Sequence, residues 1–401
     1  MFLGMSALTW HYRVVTFAGS VSQPDESPSP EPDPLAPYDA ILLLSFGGPE
    51  TPDEVMPFLQ NVTRGRGIPT ERLSAVAEHY LHFGGRSPIN DQNRALLGQL
   101  RERLSGRSKV PVYWGNRNWS PFVVDALRQA HEDGARRVLT LVTSAYPSYS
   151  GCRQYREDIA AALITLAAEG RILDVDKIRH YANHLGFLGP VGDALVDGVR
   201  QVPPGSKVVF VTHSIPTPMD ATSGPAGGAY RASHLEACAS VLELAQGVLG
   251  TRLDWDLVYC SRSGSPSQPW LEPDINDHLA TLAEAGVPGV VVVPIGFISD
   301  HMEVVFDLDT EAEETAGKLA LPFVRVATSG SDPRFADGLV QLLLERAAAE
   351  RGENPARPAI GPHGPWHDVC PIDCCRNLRV PDKPAACGID WPGRIDQVSQ
   401  S

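Results

Sequence analysis

Apolar runs of strand length recur along the chain, each leading through a loop into a stretch of helical periodicity. Ala40–Phe46 is the first, followed by Val110–Trp114 and Arg137–Thr143, with amphipathic stretches at Pro121–Glu132 and Tyr155–Glu169. Lys207–Thr212, Trp255–Cys260, Gly289–Ile295 and Pro322–Ala327 repeat the pattern in the second half. Strands apolar on both faces and separated by helices belong in parallel sheets covered on both sides. The pattern predicts an α/β protein of two Rossmann-like domains, residues 38–185 and 186–350, each a parallel sheet flanked by helices. An active-site cleft is expected between them. No internal repeat is strong enough to establish duplication.

The two ends read differently. Gln23–Pro37 carries six prolines among acids and serines and has almost nothing to bury. Residues 1–37 are therefore expected to be an extended, solvated lead-in, with ordered structure starting at Tyr38. Across 351–401 Gly, Pro and Cys rise and periodicity disappears, so this extension needs something other than an apolar core to hold it. No apolar run approaches the ~18–20 residues of a membrane helix. Met1–Ser22 lacks the basic start and cleavage site of an export signal. A net charge of −14 argues against nucleic acid and anionic membranes as partners. Seven cysteines without an export signal fit the reducing cytoplasm, and a monomer is expected. Cys238 and Cys260 fall in helix and strand contexts and read as core.

Ligands of parallel sheets bind beyond the carboxyl ends of the strands. His213 directly follows Val208–Thr212, and Asp300, His301 and Glu303 follow Val291–Ser299 in the same manner. A lone histidine at a strand end is more often a hydrogen-bonded structural residue. A His-x-Glu pair at the equivalent place in a second strand adds a second reading: such groups bind a divalent ion or serve as base and acid. Glu303, Asp307 and Glu311 then stand at i, i+4 and i+8, on one stripe of a helix. Such a stripe is either a solvated face or a ladder that moves protons and cations. Near the end, Cys370-Pro-Ile-Asp-Cys374-Cys375 and Cys387 do not match zinc-ribbon spacing. With Cys152 as a fourth ligand they suit an iron–sulfur cluster, which tolerates irregular spacing. Gly47-Gly48-Pro49 is not a dinucleotide fingerprint, and neither a Walker loop nor a nucleophile elbow is present.

Leu44-Ser-Phe-Gly-Gly-Pro49, Phe83-Gly-Gly-Arg-Ser-Pro-Ile89, His213-Ser-Ile-Pro216 and Phe297-Ile-Ser-Asp-His-Met-Glu303 stand in the order and spacing of the ferrochelatases. The chain resembles that family from about Tyr38 to Leu344. Its cysteine-rich end and the Tyr149-Ser-Gly-Cys152 loop resemble the actinobacterial branch, whose members carry a 2Fe–2S cluster. The resemblance implies insertion of Fe2+ into a porphyrin with loss of two pyrrole protons. It places His213 on the metal-insertion face, Glu303 as its acidic partner, and Asp307 and Glu311 on a carboxylate path. Ser45, Phe46, Arg64, Tyr80, Ser87, Tyr155 and Trp270 match substrate-wall positions. Some Gram-positive relatives have Tyr where Phe46 stands; phenylalanine cannot ligate iron, so that role is absent or moved. The cluster would take Cys152, Cys370, Cys374 and Cys375, with Cys387 as an alternate.

Pro69–Ala77, at the pocket mouth in the family, is mixed in character rather than a continuous apolar lip. With the acidic surface this favours coproporphyrin III over protoporphyrin IX, the alternative substrate. The expected partners are the porphyrin and, transiently, neighbouring haem-pathway enzymes. A cobalt or nickel chelatase, a non-catalytic porphyrin or haem carrier, and an iron–sulfur redox sensor are rival readings. Intact His213 and Glu303 favour catalysis.

Overall fold

A computed structural model of the chain describes residues 32–65, 67–262 and 268–386. The first half runs β1 (Ala40–Ser45), α1 (Pro52–Val62), α2 (Thr70–His82), α3 (Ile89–Leu104), β2 (Val112–Asn116), α4 (Val123–Glu132), β3 (Arg137–Val142), α5 (Gln154–Ala168) and β4 (Asp174–Lys177). The second half begins with α6 (Leu185–Val199), β5 (Lys207–His213), α7 (Thr217–Ala221), α8 (Ala229–Leu249), β6 (Trp255–Cys260) and α9 (Ile275–Glu284). It ends with β7 (Val290–Val293), α10 (Met302–Phe306), α11 (Glu313–Lys318), β8 (Phe323–Arg325) and α12 (Pro333–Glu350). Two π-helical segments, Tyr149–Arg153 and Asp307–Ala312, lead into α5 and join α10 to α11.

The strands form two four-stranded parallel sheets, ordered β2-β1-β3-β4 and β6-β5-β7-β8. This is the fold class expected from the pattern, and both halves share one strand order. β4 was not foreseen, because Asp174-Val-Asp-Lys177 has no apolar run. Its Asp176 is buried all the same, accepting from the Tyr38 hydroxyl at 3.1 Å and pairing with Arg137 at 3.0 Å and Arg346 at 3.5 Å. Partnered in this way, a carboxylate can lie inside without the cost of an isolated charge.

The two halves share their central core. Leu43 and Leu141 of the first sheet, Phe210 and Val293 of the second, Phe187 of α6 and Phe335 of α12 all belong to one buried cluster. The outer faces carry separate clusters, one around Leu42 and Val138 and one around Val209 and Val292. Helix α12 lies against both α3 and α6, so the end of the second half packs on the first. Order also begins earlier than Tyr38: Leu35 is fully buried in the shared core, and Asp33 accepts from Ser108 and from the Lys109 amide. The apolar side chain and capping acid inside the proline run explain the difference. The remainder of the expected lead-in, residues 1–31, lies outside the described residues.

Beyond α12 the chain adopts neither helix nor strand as far as residue 386. Polar bonds hold it. Arg357 pairs with Glu345 at 3.3 Å and with Asp368 at 2.9 Å, while Asn377 donates to Glu157 at 3.0 Å. Fully buried Arg156 donates to the Cys374 carbonyl at 3.0 Å and accepts from the Ala386 amide at 2.8 Å. Glu345 also pairs with Arg179 at 2.6 Å, and both side chains are 2% exposed or less. Removing one member of such a buried pair strands the other charge. Glu345→Ala is expected to cost about 3–5 kcal/mol of stability. It should be read as a lower urea midpoint at unchanged slope, and an unmoved midpoint would contradict the assignment.

Candidate active site

Reversal of strand order falls between β1 and β3 in the first sheet and between β5 and β7 in the second. At such switch points adjacent loops splay apart and leave a crevice beyond the strand tips. His213 is the last residue of β5. The loop from β7 closes tightly against that strand: a Cβ on Gly296 would meet the Thr212 side chain at 2.0 Å, so only glycine fits. It then turns into α10, whose first turn carries Glu303. His213 Nε2 and Glu303 Oε1 come to 3.2 Å, with 34% and 42% of their side chains open to solvent.

Electrostatics make the pair an imidazolium and a carboxylate. The His213 Nδ1–H donates to the Ser214 carbonyl, and Nε2 faces the carboxylate, so both nitrogens carry protons. Burial alone would lower the His213 pKa, but the Glu303 charge and hydrogen bond outweigh it and raise the pKa to about 9. Burial likewise pushes Glu303 up, and the facing His213 charge brings it below its ordinary range. Burial and the Glu303 charge raise Asp307 to about 7, against the lowering effect of the Ser261 hydroxyl, which donates to it. At neutral pH the site thus holds one proton on His213 and shares another at Asp307.

Glu303, Asp307 and Glu311 do not share one regular α-helix. Glu303 lies in α10, while Asp307 and Glu311 belong to the π-helical segment. Glu311 also contributes to raising the Asp307 pKa. Glu303 and Asp307 are half-buried and Glu311 is exposed, so the ladder runs from the cleft to water.

The expected wall residues separate into two groups. Phe46 is 36% exposed at the tip of β1, edge-on to Phe58 at 6.3 Å and with Arg117 over its ring at 5.8 Å. Tyr80 meets Phe58 at 5.9 Å, and its hydroxyl pKa is raised by burial and by the Glu303 charge. Trp270 bridges to Pro216 and carries a buried indole N–H without a partner among the described residues. Arg64 is exposed on the turn after α1. Three others lie buried and bonded to their surroundings. Ser45 is fully buried and accepts from Asn93 at 2.9 Å. Ser87 is 3% exposed, with its amide on the Pro49 carbonyl at 2.9 Å. Tyr155 is 4% exposed beneath Arg117, whose guanidinium lies 4.4 Å from its ring.

Four thiols converge elsewhere. Cys152, from the π turn before α5, forms a buried cluster with Cys370, Cys374 and Cys375 of the extension. The Cys374 and Cys375 sulfurs are 3.9 Å apart. The Gly224 amide donates to Cys375 Sγ at 3.2 Å, so both halves and the extension meet here. One imidazole nitrogen of His367 lies within 4.8 Å of the Cys370 and Cys374 sulfurs. Hydrogen bonds from Cys370 and Cys375 hold Cys152 and Cys374 below the usual thiol range. Cys387 lies outside the described residues. Cys238 and Cys260 are buried core residues, as expected.

The ferrochelatase family model matches residues 38–347, from the strand before Phe46 to the last turns of α12. The chain belongs to the ferrochelatase family. It is 56% identical over 368 residues to the coproporphyrin III ferrochelatase of Streptomyces griseus, covering 89% of this chain and 98% of that one. The protein of the same name from Streptomyces coelicolor is 54% identical over 374 residues, covering 90% and 99%. That from Leifsonia xyli is 50% identical over 380 residues, covering 89% and 95%. The family is one of enzymes that insert ferrous iron into a porphyrin, and no helix among the described residues is long and apolar enough to cross a membrane.

Sequence reasoning missed the residues behind the pair. Tyr230 donates from its hydroxyl to the His213 carbonyl at 2.8 Å. Buried His234, its pKa lowered to about 3 by burial, meets the Thr212 hydroxyl at 2.9 Å and stacks on Tyr146 at 3.6 Å. Both sit inside α8, where periodicity assigns them to core. Ser261 is held at φ +63 just past β6, a backbone outlier that composition does not signal.

The His213–Glu303 coupling has a sign that can be tested. A raised histidine pKa contributes stability below pH 6.5 that is lost as pH climbs through about 9. Glu303→Gln removes the opposing charge and leaves burial against the Ser214 hydrogen bond and the Asp307 charge, so the His213 pKa should fall from about 9. The measurement is the imidazole proton titration by NMR, assigned against His213→Ala. An unchanged midpoint in Glu303→Gln would count against the pair.

Proposed function

We propose that this chain inserts Fe2+ into coproporphyrin III, with the porphyrin held in the cleft between the sheet tips. The observation that carries the reading is the His213–Glu303 contact of 3.2 Å between neighbouring strand ends, backed by Asp307. As Fe2+ arrives at Glu303 it cancels the charge that keeps His213 protonated. His213 then releases its proton and offers a neutral Nε2, with Nδ1–H still held by the Ser214 carbonyl. That nitrogen can accept a pyrrole proton or hold the ion on its way into the ring. Asp307, near pKa 7, takes up released protons and passes them toward exposed Glu311. Phe46, Tyr80 and Trp270 supply wall surface, the last with a buried donor suited to a carboxylate.

Coproporphyrin III is preferred for two reasons. Relatives at 50–56% identity carry that substrate in their names. In addition, α2 turns Leu73 and Ala77 inward and exposes Glu71, Arg72, Ser74 and Glu78, a face suited to a water-soluble substrate with four propionates rather than one drawn from lipid. Such a substrate also suits a reaction in the cytoplasm.

The cysteine nest is proposed to hold a 2Fe–2S cluster through Cys152, Cys370, Cys374 and Cys375. Four converging, buried thiols match the donor set such a cluster needs, and an amide N–H aimed at Cys375 Sγ suits a thiolate ligand. When bound, the cluster would supply one-electron redox capacity. The protein's part is to hold the extension, the α5 turn and the Gly224 loop in register around it.

Purified protein, Fe2+ and coproporphyrin III under anaerobic conditions should give loss of the free-porphyrin absorbance. His213→Ala is expected to slow it by at least ~100-fold. No metalation by the parent, or parental rates in His213→Ala, would end the reading; protoporphyrin IX and Co2+ run in parallel test substrate and metal choice. For the nest, Cys152→Ser should abolish visible iron–sulfur absorption, and an unchanged spectrum would remove Cys152 from the ligand set.

A further inference from the structure

Helix α3 begins with three amide side chains that each bond to a separate backbone or side-chain partner. Asn90 donates to the Gly48 carbonyl at 2.9 Å, fixing the turn after β1. Asn93 donates to Ser45 Oγ at 2.9 Å, fixing the tip of that strand. Gln92 reaches the other way. Its Nε2 donates to the Asp300 carbonyl at 2.9 Å, and its Oε1 accepts from the Asp300 amide at 3.0 Å. Both functions of one amide are therefore spent on the backbone N–H and C=O of one residue of the opposite half, three residues before Glu303.

We propose that Gln92 is a positioning residue for metal insertion: its two-point grip on Asp300 sets the distance of Glu303 from His213. This rests on the reading of His213 and Glu303 as the metal-handling pair. From its own half the loop is steered by Arg325, which pairs with the Asp300 carboxylate at 3.1 Å, and by Gly330, where a Cβ would lie 2.1 Å from the Ile298 carbonyl. Those contacts tie the loop to the second sheet. From the first half, Tyr146 donates to the Ile295 carbonyl at 3.0 Å, at the root of the loop. The His79 ring stacks on Phe306 at 3.7 Å, at the far end of α10. Gln92 grips the peptide between these points. A 1 Å error there is transmitted to Glu303 with little to absorb it, and errors of that size at a reacting centre are costly.

The proposal separates positioning from packing because Gln92 can be replaced at nearly constant volume. Gln92→Met fills the space without either hydrogen bond, and Gln92→Ala removes both space and bonds. Gln92→Glu keeps length and acceptor but loses the donor. Iron insertion into coproporphyrin III is measured with the full-length protein, together with thermal midpoints and porphyrin binding. Direct binding of Co2+ to porphyrin-free protein, with His213→Ala as the reference for loss of the site, is the second readout. The expected result is that Met and Ala variants alike raise the Fe2+ KM and weaken Co2+ binding by roughly tenfold, as loss of two hydrogen bonds would give. Glu should fall between, with porphyrin affinity and thermal midpoint near parental values. Parental kinetics and Co2+ affinity in Gln92→Met, or equal losses of porphyrin affinity and thermal stability in all three variants, would overturn it. A parent that binds Co2+ but metalates no porphyrin would instead refute the functional reading and leave the Co2+ comparison to judge Gln92.

Discussion

An imidazolium and a carboxylate 3.2 Å apart, at a switch point of a parallel sheet, set the terms for everything around them. Each needs the other to be charged in a half-buried place, so neither can be shifted without disturbing the partner's proton. The scaffold answers with rigidity. Tyr230 fixes the His213 carbonyl, Ser214 fixes Nδ1, and Gly296 lets the opposing loop press on Thr212. A divalent cation entering between the two side chains replaces one positive charge by two. In the proposed reaction, metal arrival and proton departure would thereby be one electrostatic event.

That dependence explains which parts were legible in the chain. Central strands such as β1 and β5 show as unbroken apolar runs, because burial on both faces leaves no choice of residue. His213 and Glu303 show because a strand-end histidine is matched by a His-x-Glu pair in the loop after a second strand. β4 was hidden because its burial rests on the ion pairs of Asp176 rather than on apolar side chains. Ser45 and Tyr155 read as pocket walls from the family motifs, while a polar residue at a strand or helix end has two outcomes, facing the ligand or holding the wall. Only partners such as Asn93 and Arg117, distant in sequence, decide between them.

The extension follows a different physics from the body of the protein. Between Arg351 and Ala386 the described chain has neither helix nor strand, and its backbone groups are met by arginines of the first half. Arg156 is fully buried and bonds to the peptide of Cys374. Four thiols among so few apolar contacts gain little as core residues. Drawn together with an amide N–H from the Gly224 loop, they place a tie between segments that the shared core does not reach. The Gly224 loop lies between α7 and α8, downstream of His213, and the Ser223 hydroxyl accepts from the Tyr230 amide at 2.7 Å. The cysteine nest and His213 therefore rest on one continuous piece of backbone.

The π-helical segment completes the logic of the pair. In the proposed reaction the incoming cation and the displaced protons carry like charge, so a separate route for the protons would relieve their repulsion. A separate line of carboxylates at graded exposure resolves the conflict, with Glu303 ionised, Asp307 near neutrality of protonation at pH 7, and Glu311 in water. Burial, and then the charges of Glu303 and Glu311, raise the Asp307 pKa to about 7. Ser261, donating to Asp307 and lowering Glu303, holds the first two rungs together from the neighbouring strand. In the proposed reaction this row, from half-buried Glu303 and Asp307 to exposed Glu311, is the route by which released protons would reach water.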